Sequence, residues 1–233
     1  MRYLAILLFT VQAIGLTACG YLLWQKREAT GDRSRTLLAL TGWAAAFTAV
    51  LYIFRTCAGT LPVSGPLLAP EQVFFPYGWL MLLLLYPLEL IRPVGSRSNL
   101  YLRMYAPLAL MLIFGICGGV VYTPLLSADD LWMHIGRPDV WLRLLALVVL
   151  PFYGFRLCRV RYHWKGTYTD RVFLRLFASA LCLMGLLQMA VQLTLSYGLF
   201  LLQGGVWMLF FFALTWYELY DRLWVRIIGG RFE

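Results

Sequence analysis

Charge is scarce in this chain of 233 residues: 13% are Asp, Glu, Lys or Arg, against 61% hydrophobic. Soluble domains carry about 25% charged and 45–50% apolar residues, so a soluble domain with a large core is excluded. Lysine is scarcer still. Lys26 and Lys165 are the only two, and both fall between long apolar runs, which leaves no buried lysine for a retinal-type Schiff base. Histidine is limited to His134 and His163. His134 with Asp129 and Asp130 is the one set with any capacity for a metal, and a weak one. The five cysteines, Cys19, Cys57, Cys117, Cys158 and Cys182, form no CxxC, so no zinc site or disulfide framework is legible. Cys57 and Cys117 fall near one predicted face, which would permit a bridge. P-loop, HExxH, GxSxG and kinase signatures are missing. These absences predict a protein that is not an enzyme and uses no cofactor.

What the chain does have is long apolar runs. About 20 apolar residues cross the ~30 Å hydrocarbon layer as a helix, and seven runs qualify: Tyr3–Trp24, Leu37–Cys57, Phe74–Ile91, Leu102–Tyr122, Val140–Leu157, Val172–Leu195 and Leu199–Tyr220. The fold class is therefore all-α: a polytopic membrane protein, a bundle of seven transmembrane helices. Residues 1–222 form the transmembrane domain and 223–233 a short cytoplasmic tail. Arg2, an apolar run and Leu16-Thr17-Ala18-Cys19-Gly20 resemble a lipoprotein signal. The run continues through Tyr21-Leu22-Leu23-Trp24, however, so an uncleaved first span is expected.

Orientation follows from the basic residues. The stretch Phe155–Arg175 alone carries Arg156, Arg159, Arg161, Lys165, Arg171 and Arg175, and short basic loops stay on the cytoplasmic side. With the N-terminus outside, 16 of the 20 basic residues face the cytoplasm, and only Arg2, Arg55, Arg137 and Arg143 lie outside. The expected location is the cytoplasmic membrane, N-terminus out and C-terminus in. The net charge of +9 is spread over loops rather than gathered on one helix face. It points to topology and lipid headgroups, not to direct nucleic-acid binding. Trp24, Tyr77, Trp79, Tyr101, Tyr122, Trp141, Tyr197 and Trp224 fall near predicted interfaces, as an aromatic belt would. In the outer loop Leu125–Asp139, Ser127 with Asp130 reads as a capping box opening a short helix on the membrane surface, with Leu131, Trp132 and Ile135 as its apolar stripe.

No span centre holds a charge, which leaves a proton pump or voltage sensor without its groups. Arg55, Glu89, Arg103, Arg143, Arg156, Arg175 and Glu218 sit within about two turns of a span end, where they can snorkel to the interface. Glu89 and Arg92 can pair locally. The deeper polar residues are Gln12, Thr41, Thr48, Ser179, Gln188, Gln192, Gln203 and Thr215. Gln188 and Gln192 are one turn apart on span six. With Gln203 on span seven they outline a polar cleft, the candidate ligand site, with Trp132 as an outer contact; the alternative is plain interhelical hydrogen bonding. Gly115-x-x-x-Gly119 permits close helix approach, and Pro87, Pro107 and Pro151 are candidate kinks. Span seven leaves the membrane through Glu218, Asp221, Arg222 and Trp224, with Leu219, Leu223 and Ile227 as a stripe suited to relaying a shift.

Seven spans, Tyr86-Pro87-Leu88-Glu89-Leu90-Ile91-Arg92-Pro93 closing the third, and the aromatic-acidic exit helix resemble the N-terminal membrane region of bacterial membrane-anchored regulators. In that group an AraC-type helix-turn-helix domain or a histidine kinase core follows the last span. The resemblance implies a sensory input module of a signal-transduction or transcription-regulatory system. No such output domain follows within this sequence, so a cytoplasmic output domain or partner protein is expected to read the last helix, with a homodimer as a further partner state. The alternatives are a small carrier built from two parallel three-helix repeats and a linker helix, and a lipid enzyme, for which no His, Asp or Glu cluster is visible.

Overall fold

The computed structural model describes residues 2–27, 33–59, 66–69, 73, 77–91, 123–159 and 168–221. Their elements are all helical: α1 Arg2–Gln25, α2 Arg33–Cys57, α3 Tyr77–Ile91, α4 Ala128–Met133, α5 Pro138–Arg159, α6 Tyr168–Thr194 and α7 Tyr197–Trp216, which runs into a π-helical turn, Tyr217–Asp221. Helices α1, α2, α5, α6 and α7 are long and apolar enough to cross a membrane, and the chain is a membrane protein. Helix α3 stands in the place of the third expected span; its 15 residues rise roughly 22 Å, and residues 74–76 lie outside the described residues. The fourth expected span, with Pro107, Gly115, Cys117 and Gly119, lies outside them as well, as do Arg92, Arg103, His163, Arg222 and Trp224.

The bundle is turned partly inside out relative to a soluble protein. Ile14, Phe47, Leu183 and Leu209 are each at least 61% exposed, a surface that suits lipid rather than water. Small residues set the closest helix contacts. A Cβ on Gly154 would meet Cys182 N at 2.8 Å, and one on Gly185 would meet Pro151 N at 2.7 Å, so α5 and α6 touch backbone to backbone. Gly20 likewise admits the Trp43 ring between α1 and α2. Pro87 and Pro151 sit inside α3 and α5 without ending them.

One end of the bundle gathers Arg2, Cys57 and the loop residues 66–69 and 123–137. Arg2 donates to the Cys57 carbonyl, and Leu67 N–H donates to Leu125 O at 2.6 Å. The capping box of α4 is formed: Asp130 N–H donates to Ser127 Oγ at 3.2 Å, and Ser127 N–H to Asp130 Oδ2 at 3.1 Å. Arg143 departs from expectation. It does not snorkel but is 2% exposed. It donates to Asp139 Oδ2 at 2.8 Å, Thr123 O at 3.2 Å and Leu68 O at 3.3 Å. A guanidinium has five donors and no acceptor, so buried loop carbonyls are its natural partners, and Arg143 clamps both loops to α5.

Candidate functional site

The α6–α7 hairpin builds one wall of an interior cavity. Leu195 takes the left-handed conformation at φ 49°, and α7 starts directly after Ser196, so the two helices reverse within two residues. This tight reversal sets Gln188 and Gln192 on α6 opposite Gln203 on α7, and all three line the same cavity. Gln203 Nε2 donates to Gln188 Oε1. Gln192 is 4% exposed, and its Oε1 has no hydrogen-bond partner on the described residues.

The other walls come from the remaining helices. Helix α1 contributes Phe9 and Gln12, α2 contributes Thr48 and Tyr52, α3 contributes Trp79, and α5 contributes Ala146 and Leu150. Thr48 spends its hydroxyl proton on Ala44 O of its own helix, at 3.0 Å. Two groups of aromatic rings contribute to the lining. Phe9, Tyr52 and Phe200 form a cluster with centroids 5.2–5.6 Å apart. Trp79 stands edge-on to Trp207 at 4.6 Å and tilted to Phe211 at 5.9 Å. Trp79 was expected in an interfacial belt. It is instead 8% exposed, and its Nε1–H has no partner on the described residues. The cavity holds about 80 Å³, counted as the space a water oxygen can reach. Among the described residues no charged side chain lines it.

A second buried polar group lies further along α7, at the end opposite Arg2. Glu218, in the π-helical turn, is 0% exposed, Arg35 3% and Tyr86 0%. Arg35 Nε lies 3.5 Å from Glu218 Oε2, and Arg35 Nη2 donates to the Glu218 carbonyl at 2.9 Å. Arg35 Nη1 donates to Lys26 O at 3.0 Å, and Tyr86 Oη donates to Glu218 Oε1 at 2.8 Å. The node thus ties the end of α1, the start of α2, α3 and the exit of α7 together. Tyr217 stacks on Phe173 at 3.7 Å beside it. Glu218 therefore does not anchor at the interface as expected: full burial leaves it no route to water, and an arginine meets its charge instead. Single-turn π segments inside helices recur at functional sites.

Of the residues singled out from sequence, Gln188, Gln192 and Gln203 come together. Trp132 does not join them; it is 69% exposed on α4 and lines no part of the cavity. Asp221 closes the π turn, while Arg222 and Trp224 lie outside the described residues. Arg35 and Tyr86 were missed as partners of Glu218. Among the described residues no group of three His, Cys, Asp or Glu side chains is placed to hold a metal; His134 Nδ1 contacts Asp130 O at 2.9 Å. No family model, curated protein or solved structure matches the chain.

Proposed function

We propose that the chain is the membrane-embedded input module of a bacterial signalling or transcription-regulatory system. In this reading it sits in the cytoplasmic membrane as seven spans with the N-terminus outside. A small cue occupies the cavity, and α7 carries the response to a cytoplasmic output domain or partner. One observation carries the proposal: α7 presents Gln203, Trp207 and Phe211 to the cavity and, further along, Glu218 to the buried node. Phe211 and Glu218 are separated by roughly 10 Å of helix rise. A guest that pushes or pulls on the Trp207–Phe211 face acts on the same rigid rod that holds Glu218. A relay needs two packings of similar energy that the guest distinguishes, and the π turn, where the helical register changes, is the place for the second. The distribution of basic residues and the likeness to membrane-anchored regulators support the orientation and the class.

Cavity filling substitutes for the unidentified cue. Gly204→Leu and Ala49→Leu each add a side chain to the cavity wall from a different helix. In a chain freed of its five native cysteines, Tyr220→Cys reports on the α7 exit through its rate of maleimide labelling in membranes. Both fillings should change that rate severalfold. Two folded variants that label at the unfilled rate would sink the relay.

A further inference from the structure

The polar atoms left over in the cavity define the chemistry of the guest; this inference rests on the cavity being the cue site. Gln192 Oε1 and Trp79 Nε1 are each in a side chain more than nine-tenths buried, at 4% and 8% exposure. Neither has a hydrogen-bond partner on the described residues. Buried polar atoms are otherwise paired almost without exception, because each orphan forfeits its hydration without return. One orphan is an acceptor and the other a donor, and they line the same cavity. A guest that satisfies both must offer an N–H or O–H to Gln192 and a carbonyl-type oxygen to Trp79.

Charge and size narrow the class. With no charged side chain among the described residues of the lining, an ionised guest would lose its hydration with none of them to offer the opposite sign. A pure hydrocarbon would enter but leave both orphans unpaired. A buried water needs roughly 10–15 Å³, so a cavity of about 80 Å³ has room for roughly five to eight waters, or one ring with a short polar arm in their place. Phe9, Phe200, Trp79 and Trp207 offer ring faces and edges in the lining, against which an aromatic guest packs well. We propose that the cavity takes a small, uncharged aromatic compound bearing both a hydrogen-bond donor and a carbonyl-type acceptor, with a primary aromatic amide as its simplest form.

The test uses the full chain in lipid nanodiscs and four probes of similar size: benzamide, benzoate, benzylamine as its ammonium, and ethylbenzene. Binding is read by calorimetry, and in the wild type also by the indole N–H resonance of Trp79. Benzamide should bind saturably and move that resonance. Ethylbenzene should bind at least about fivefold more weakly and the two ions not at all. Gln192→Leu and Trp79→Phe should each weaken benzamide by about 3- to 10-fold, the worth of one net hydrogen bond. Gln192→Leu should also tighten ethylbenzene, an inversion that misfolding cannot produce. Ethylbenzene binding as tightly as benzamide would overturn the ligand class and leave the cavity standing as a binding site. Failure of all four probes would overturn the class and count against the cavity as a cue site. The relay fails separately, through the cavity-filling variants.

Discussion

Breaking the Arg35–Glu218 node should reveal a pair that is costly to split and cheaper to remove whole. The side chains are 3% and 0% exposed, so solvent screening does not discount the interaction as it does at surfaces. Removing one partner of a buried pair costs about 3–5 kcal/mol. The Nε–Oε2 separation of 3.5 Å argues for the lower end, about 3 kcal/mol for Glu218→Leu, since Arg35 keeps its bonds to two backbone carbonyls. Arg35→Met takes the arginine from the Glu218 carboxylate and leaves Tyr86 donating to it, at about the same cost. The double variant removes both charges of the pair together, and the loss should fall short of the sum of the singles by about 2 kcal/mol. Reversible unfolding in mixed detergent–SDS micelles measures all four corners of the cycle. Single losses below about 1 kcal/mol that add within ~0.5 kcal/mol would refute the buried pair.

Three further outcomes are expected. Gln192→Leu should stabilise the guest-free protein by about 1–3 kcal/mol, because it removes an unpaired buried carbonyl; a lower unfolding midpoint would mean that this oxygen is already satisfied. Arg143→Met should cost about 1–3 kcal/mol by taking the guanidinium from Asp139, Thr123 and Leu68, less than for a fully buried pair because Asp139 is 22% exposed. It should also speed proteolysis in the loop 123–137, and unchanged cleavage would show that the clamp is dispensable. Reporter fusions should place Ser127 outside and Gly166 in the cytoplasm; the reverse would invert the proposed topology.

The helices were legible because a long apolar run has few alternatives in lipid. Expected starts and ends for α1, α2, α5 and α6 fall within about four residues of those observed. The capping box of α4 was equally local, needing only Ser127 and Asp130. The glutamine group was readable because two of its members share a helix turn and the third follows across a tight reversal. What could not be read was which face of each helix points inward. A helix apolar on all sides carries no stripe to show it. Trp79 and Arg143, each placed near a span end by counting, therefore looked like interfacial anchors although both are buried. The Arg35–Glu218 contact joins residues 183 positions apart, and no local pattern announces such a meeting. Gly154 and Gly185 were passed over for the same reason, since single glycines mean close packing only once the facing helix is known.

The central claim, that the cavity and the node are coupled through α7, is tested most directly by reciprocity. If a guest in the cavity biases the node, then weakening the node must change the affinity of the cavity by the same factor. Calorimetric titration of benzamide into the wild type, Tyr86→Phe and Glu218→Gln, all in nanodiscs, measures that factor. Coupling of the usual size shifts affinity by about 5-fold or more, and the account predicts such a shift for Glu218→Gln and a smaller one of the same sign for Tyr86→Phe. Equal affinity in three folded proteins would show two independent structural features on one helix and would contradict the account.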